Sequence, residues 1–159
     1  VNLRDVEGRS ALLLGKAKDN NASCSIGPFI RLFDERFTLA DIETATITLK
    51  VRGRDGFVLE GHSDMSEISR APAELVRQTL NANHQYPDGF VLFLGTMFAP
   101  REDRADPGSG FTHKPGDVVE IATPLLGTLA NTVTTSDKAR PWTYGLRRAM
   151  RDLAARGLL

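Results

Sequence analysis

The sequence predicts a single domain that combines short β-strands with two helices. Residues 44–54 alternate between apolar and polar side chains, which is the period of a half-buried strand. The hairpin signal Asp55-Gly56 follows, and the segment from Phe57 to Gly61 supplies a partner strand. Segments that begin at Pro72 and Pro141 have the apolar spacing of amphipathic helices. With 159 residues, the chain is long enough to enclose one hydrophobic core.

Composition argues against several classes of protein. Lys and Arg together number 20, as do Asp and Glu, so no net charge attracts nucleic acid or an anionic membrane. No apolar run approaches the roughly 20 residues of a membrane helix, and residues 1–4 do not resemble a signal peptide. The lone Cys24 excludes an internal disulfide and suits a reducing compartment. We therefore expect a cytoplasmic protein with no nucleic-acid or membrane partner.

Four further segments are predicted to be strands. Among them, Phe90–Leu94 is a continuous apolar run, which is typical of a strand buried on both faces. The segments are Phe29–Phe33, residues 117–121, Phe90–Leu94 and residues 126–133.

Two helices are predicted from their start and stop signals. Ser69 is expected to cap a helix that begins near Pro72 and ends at Leu80. Pro141 is expected to open the last helix, and Gly157 to end it. The arginines of this last helix indicate a solvated basic face.

The segment Gly15–Pro28 has the composition of a polar pocket floor. Its glycines, amides and hydroxyls are small enough for a substrate to approach the backbone, and its lysines supply positive charge. An ordinary surface loop is the alternative interpretation.

Two features follow the predicted strand Phe90–Leu94. Gly95 and Thr96 supply a backbone N–H and a hydroxyl suited to a carboxylate oxygen, although a plain turn has the same composition. The loop Pro100–Pro115 is longer than most structural connections, which favours a functional wall or lid.

Other motifs are weak. His62, His84 and His113 do not fall at zinc-ligand spacing, and no glycine-rich nucleotide motif follows a strand. Cys24 has no evident base partner, so a small buried side chain is expected there rather than a nucleophile.

Several ordered motifs resemble the fumarylacetoacetate hydrolase superfamily. Residues 1–5 resemble the end of its Asn-Asp-Val-Ser-x-Arg-Asp motif, and residues 18–28 resemble its Lys-x-x-Asp-x-x-Cys-x-x-Gly-Pro segment. Residues 93–96 resemble its strand ending in Gly-Thr. Residues 116–121 and 127–133 resemble its Gly-Asp-x-Val and Gly-x-Leu-x-Asn-x-Val elements.

The chain departs from the common family pattern at two places. Asn21 stands where an Asp is common, and Met97 follows Thr96 where the family usually has Pro and then Gly. Together with residues 14–18 and 84–87, these features resemble the branch that dehydrates 2-keto-3-deoxy-pentonates.

The resemblance implies an α+β fold with a mixed, rolled, sandwich- or barrel-like β structure, of which residues 1–159 form the C-terminal part of the catalytic domain. Family members bind one Mg²⁺ or Mn²⁺ through a Glu-x-Glu pair and the Asp of Asn-Asp-Val. These ligands are expected upstream of Val1, on an N-terminal part of the same protein, and not within this chain. A homodimer or higher oligomer is implied as well.

The resemblance also implies an enzyme that acts on a 2-oxo acid. Lys18, rather than Lys16, is expected to be the catalytic lysine near Thr96. Arg4, Asn21, Gly95 and Thr96 are expected to bind substrate. Cleavage of a C–C bond in a diketo acid is an alternative reaction, and a binding domain without catalytic metal is an alternative class.

Overall fold

The computed structural model describes residues 22–27, 29–95, 98 and 100–159. The first elements are α1 (Leu39–Glu43), β1 (Thr46–Arg52), β2 (Val58–Asp64), a 3₁₀ turn (Met65–Glu67) and α2 (Pro72–Thr79). Then follow β3 (Val118–Thr123), β4 (Gly127–Thr132), a second 3₁₀ turn (Ser136–Lys138) and α3 (Leu146–Ala155). The four strands form one sheet in the order β2-β1-β3-β4. Each neighbouring pair is antiparallel.

The predicted hairpin is confirmed as β1 and β2. Gly53 and Phe57 close it, since the Gly53 N–H donates to the Phe57 carbonyl at 2.8 Å. Thr46 pairs with Asp64 at one end and Arg52 with Val58 at the other, so β2 extends three residues beyond its predicted end.

The two later strands are also confirmed. β3 and β4 pair from Val118↔Thr132 to Thr123↔Gly127. The Val133 N–H donates to the Asp117 carbonyl at 2.8 Å, which continues the pairing one step before β3 begins. The sheet therefore fixes the backbone of Asp117.

One face of the sheet carries the hydrophobic core, and we call it the core face. Val51 pairs with Leu59 on one side and with Val119 on the other, so their side chains share this face. Val51, Leu59 and Phe111 are the buried centre of the cluster. The partly buried side chains around them are Leu49, Phe57, Phe98 and Val119. The opposite face, which carries Lys50, Glu60 and Glu120, is the outer face.

Two predicted strands are wrong. Phe29–Phe33 and Phe90–Leu94 are irregular, and in the described part of the chain neither takes part in a backbone ladder. The second run was expected to be buried on both faces, yet Val91 is 74% exposed and Phe93 66% exposed. An apolar run becomes a strand only when a neighbouring strand satisfies its backbone groups.

Both predicted helices exist, but their starts differ from the prediction. The helix at Pro72 is capped by Ala71 without a side-chain bond, so the Ser69 cap is wrong. The Arg70–Glu74 ion pair spans that first turn instead. The last helix begins at Leu146, not Pro141, because Gly145 holds an extended backbone that a helix cannot include. Its predicted end is confirmed by the Gly157 N–H, which donates to the Ala154 carbonyl at 3.0 Å.

The α+β class is confirmed at this level, as a small antiparallel sheet with a few helices. The rolled, sandwich- or barrel-like arrangement stays a prediction. Among the described residues, no helix is long and apolar enough to cross a membrane.

Candidate functional site

Most sequence-predicted site residues lie outside the described residues. These are Lys18, Arg4, Asn21 and Thr96. Gly95 is described: it is exposed and has a φ of 78°. The surroundings of the predicted site are therefore defined by the residues that flank it.

The first flank is Ser25, which lies seven residues after Lys18 in the chain. The Ser25 hydroxyl donates to the Asn131 side-chain oxygen at 2.9 Å. Asn131 pairs with Val119, so its side chain lies on the core face at the edge strand β4. Ser25 is thus attached to this face.

The second flank is Phe98, three residues after Gly95. Its N–H donates to the Ser63 hydroxyl at 3.2 Å, and Ser63 lies on the core face of β2. Its ring occupies the space beside Gly61, where an added Cβ would lie 2.4 Å from a ring carbon. Gly61 thus permits the ring of Phe98 to lie directly on the sheet.

The core face joins these two flanks. Ser63 and Asn131 lie on opposite edges of the sheet, at least three strand spacings or roughly 14 Å apart. The half near Phe98 is covered by the core, whereas Ile121 on β3 is 46% exposed. The open half, between Ile121 and Asn131, is the candidate binding surface.

A buried ion pair joins Arg104, in the loop Pro100–Pro115, to Asp117. Arg104 makes two hydrogen bonds to the Asp117 carboxylate, one of them 2.7 Å long between Nη2 and Oδ1. The side chains of Arg104 and Asp117 are only 3% and 1% exposed. The Lys114 N–H also donates to Asp117 Oδ2 at 2.8 Å. Two charges this well buried need such paired bonds to be stable.

Asp55 extends the ion pair into a network that reaches the hairpin turn. Arg104 Nη2 donates to Asp55 Oδ1 at 3.1 Å, and the Lys114 ammonium lies 2.9 Å from Asp55 Oδ2. Hydrogen bonds from Lys114 and Arg104 lower the pKa of Asp55. The bonds from Arg104 likewise lower the pKa of Asp117 and raise that of Arg104. These groups are therefore charged at neutral pH.

His113 lies at the border of this network. Its Nδ1 is 3.7 Å from Asp117 Oδ2, too far for a hydrogen bond, and its ring meets Phe111 edge-on with centroids 4.9 Å apart. Burial lowers the pKa of His113, against the opposing effect of Asp117. A neutral imidazole is therefore favoured, in a side chain that is only 20% exposed.

The outer face carries a different set of charges. Lys50 pairs with Glu60, and Arg52 with Glu120. A shallow, open depression lies here beside Thr48 and His62. Because its charges already pair with one another, it is an ordinary solvated face.

The described residues do not fit a catalytic metal. Among them, no group of three or more His, Cys, Asp or Glu side chains is placed to hold an ion. The carboxylates of Asp55 and Asp117 are already bonded to Arg104 and Lys114. Cys24 is exposed, so the expectation that it is buried is wrong.

Sequence reasoning missed the ion network. The length of the loop Pro100–Pro115 singled it out, and Asp117 belongs to a quoted motif. Nothing in the sequence identified Arg104 as the partner of Asp117.

The chain is similar in sequence to two known dehydratases. The chain is 29% identical over 133 residues to the 2-dehydro-3-deoxy-D-arabinonate dehydratase of Saccharolobus solfataricus. This match covers 84% of the chain and 41% of the relative. It is 31% identical over 136 residues to a probable 2-keto-3-deoxyxylonate dehydratase of Haloferax volcanii, covering 85% of this chain and 43% of the relative.

The chain is also similar in structure to a solved dehydratase. It is a 2-keto-3-deoxy-D-arabinonate dehydratase complexed with magnesium and 2,5-dioxopentanoate, with a TM-score of 0.64 and 29% identity. The match covers 84% of this chain and 44% of that one. The chain therefore spans less than half the length of these relatives.

A match to a family model identifies the family of this chain. The model of the fumarylacetoacetate (FAA) hydrolase C-terminal family matches residues 1–134, which contain the four strands, both flanks of the predicted site and the Arg104 network. The chain thus belongs to the fumarylacetoacetate hydrolase family, as its motifs predicted.

Proposed function

We propose that the whole protein dehydrates a 2-keto-3-deoxy sugar acid, most specifically a pentonate. The observation that carries this proposal is the similarity to two pentonate dehydratases over 84% and 85% of the chain. The solved structure named above, a 2-keto-3-deoxy-D-arabinonate dehydratase complexed with magnesium and 2,5-dioxopentanoate, supports the same substrate class.

The proposed reaction removes one water across C3 and C4 of the substrate. The C3 proton is acidic because it is adjacent to the 2-oxo group, and the hydroxyl on C4 is the leaving group. Lys18 places its ammonium beside the 2-oxo oxygen, where negative charge develops, or transfers a proton. Arg4 and Thr96 hold the carboxylate, while Asn21 and Gly95 complete the polar lining.

The flanking contacts give this proposal its structural support. Ser25 is hydrogen-bonded to Asn131, and Phe98 to Ser63, on one face of the sheet. Attachment to a sheet limits the freedom of both site segments, as a preorganised site requires. The open half of the core face between them is the proposed substrate surface.

A divalent metal, Mg²⁺ or Mn²⁺, belongs to the proposal because a similar solved structure contains magnesium. Such ions prefer carboxylate oxygens and water. Asp55 and Asp117 are already bonded to Arg104 and Lys114, and no group of three or more possible ligands occurs among the described residues, so we assign the ligands to an N-terminal part of the same protein.

The alternatives receive less support. A hydrolase of diketo acids shares the family, but the two curated relatives compared above are both named as dehydratases. No contact among the described residues favours a binding domain without activity.

The remaining parts of the proposal follow from the family. We propose that residues 1–159 form the C-terminal part of a rolled, mixed β catalytic domain. We further propose a cytoplasmic homodimer or higher oligomer that acts on a small 2-oxo acid and binds neither nucleic acid nor membrane.

A pair of lysine variants tests the proposed site in the full-length protein. Lys18→Met is expected to lower kcat by roughly a hundredfold, the usual scale for a group that acts on the transition state. Lys16→Met is the matched control, since it removes the same charge two residues away and is expected to leave kcat within about twofold. Equal losses in both variants would contradict the assignment to Lys18.

A further inference from the structure

The loop Pro100–Pro115 is closed by hydrogen bonds between its backbone and the side chain of Asp103. The Asp103 carboxylate accepts the N–H groups of Gly108 and Gly110, each at 2.7 Å. Both glycines have positive φ values, 78° and 71°, which other residues rarely adopt. The tip of the loop is therefore a defined turn.

Arg104 attaches the base of this loop to the sheet. It reaches Asp117 before β3, Asp55 in the hairpin turn, and the Thr112 carbonyl at 3.3 Å. Its guanidinium also lies 4.6 Å from the centroid of the Phe57 ring. One side chain thus joins the loop to two separate parts of the sheet.

Phe111 and Lys114 provide two more attachments on the returning half of the loop. Phe111 is one of the buried residues of the core, with Val51 and Leu59. Lys114 pairs with Asp55 in the hairpin turn. Lifting the loop would expose Phe111 and separate Arg104 from Asp117, leaving buried charges without partners.

We infer that this loop is a fixed wall of the substrate pocket rather than a moving lid, and that Arg104 is the positioning residue that fixes it. The inference rests on the proposed function. The loop begins at Pro100, four residues after Thr96, so its base lies within about 14 Å of the proposed carboxylate site. The path between them passes Phe98, which the sheet holds on the core face.

Hydrogen exchange of the full-length protein tests the fixed wall without any need for turnover. The loop amides that donate hydrogen bonds in the structure are expected to be protected in the free protein, and they belong to Arg104, Gly108, Ser109, Gly110 and Lys114. Addition of a 2-keto-3-deoxy-pentonate is expected to leave this protection unchanged. Unprotected amides in the free protein, or protection that rises when the sugar acid is added, would overturn the inference in favour of a lid.

Variants of Arg104 test its positioning role. Arg104→Met is expected to raise KM by roughly tenfold or more while kcat changes less, because the displaced wall no longer orients the substrate. Arg104→Lys keeps the charge but not the paired bonds, and is expected to give an intermediate KM even if Arg104→Met fails to fold. The matched control is Arg147→Met, in an exposed residue of α3 outside the loop, with wild-type KM expected.

These outcomes separate the two proposals. A wild-type protein with no dehydratase activity would reject the proposed function, while hydrogen exchange in the free protein would still decide whether the loop is fixed. An active Arg104→Lys variant with wild-type KM and wild-type protection would overturn the role of Arg104 alone.

Discussion

Arg104 holds both carboxylate oxygens of Asp117, although 13 positions separate the two residues in the chain. Nη2 donates to Oδ1 at 2.7 Å and Nη1 to Oδ2, in the paired geometry that favours an arginine over a lysine. The backbone of Asp117 is held by the sheet, because the Val133 N–H donates to its carbonyl and continues the β3–β4 pairing. The position of Arg104, and with it the base of the loop Pro100–Pro115, follows from that pairing.

Loss of Arg104 is expected to destabilise the fold strongly. Arg104→Met leaves Asp117 buried without its partner, a change that typically lowers the free energy of unfolding by about 3 kcal/mol or more. Arg101→Met removes an exposed arginine nearby and is expected to change it by less than about 0.5 kcal/mol. Urea unfolding of both variants measures the difference, and equal stabilities would contradict the importance of the pair.

Stability is expected to fall with acidification in two steps. The pKa of His113 is lowered from 6.5, so the unfolded chain takes up its proton first and stability declines as the pH drops below 6.5. The pKa of Asp117 is lowered from 3.8, so its contribution is present above that value and is lost as the pH falls through the lower folded pKa.

Thermal unfolding across pH, with histidine variants, separates these steps. His113→Gln is expected to remove the step that begins near pH 6.5 and to keep the acid one. His84→Gln, a change in an exposed histidine, is the control and is expected to keep both. An unaltered profile for His113→Gln would show that another group causes the first step.

Local patterns in the sequence predicted the sheet well. The alternation in residues 44–54 and the Asp-Gly signal located β1 and β2, because side-chain period and turn chemistry are encoded within a few residues. Phe90–Leu94 is apolar throughout but is not a strand. Whether such a run forms a strand depends on a neighbour that satisfies its backbone groups, and no local pattern specifies that neighbour.

The candidate site was predicted only in part. Motifs identified the segments that end near Ser25 and Phe98, but not the residues of the sheet that hold them, Asn131 and Ser63. These pairs are 106 and 35 positions apart in the chain. Arg104 and Asp55 are 49 apart. Contacts between such distant positions follow from the sheet register, which a single sequence does not determine.

Gly61 is expected to be needed for the position of Phe98. A Cβ there would lie 2.4 Å from the Phe98 ring, so Gly61→Ala must displace the ring. Overpacking of this kind typically costs about 1–3 kcal/mol of unfolding free energy. In a Phe98→Ala background the same change is expected to cost much less, which chemical denaturation of the four proteins can measure. Equal costs in both backgrounds would show that the ring is not the obstacle.

The bond between Ser25 and Asn131 is expected to affect substrate binding more than stability. Both residues are exposed, so Asn131→Ala should lower the unfolding free energy by no more than about 1 kcal/mol. It frees the segment after Lys18, and KM for the sugar acid is expected to rise severalfold. Thr132→Ala alters the outer face of the same strand and is the control for kinetics and unfolding. An unchanged KM in Asn131→Ala would show that β4 does not contribute to substrate binding.

The most direct test of the proposed dehydratase is mass analysis of the product. The full-length protein is incubated with Mg²⁺ and either a 2-keto-3-deoxy-pentonate or a diketo acid. The expected product of the first substrate has kept all five carbons and lost one water, and the second substrate is expected to remain intact. Cleavage of the diketo acid into two fragments, with the pentonate unchanged, would contradict the account and identify a C–C bond hydrolase.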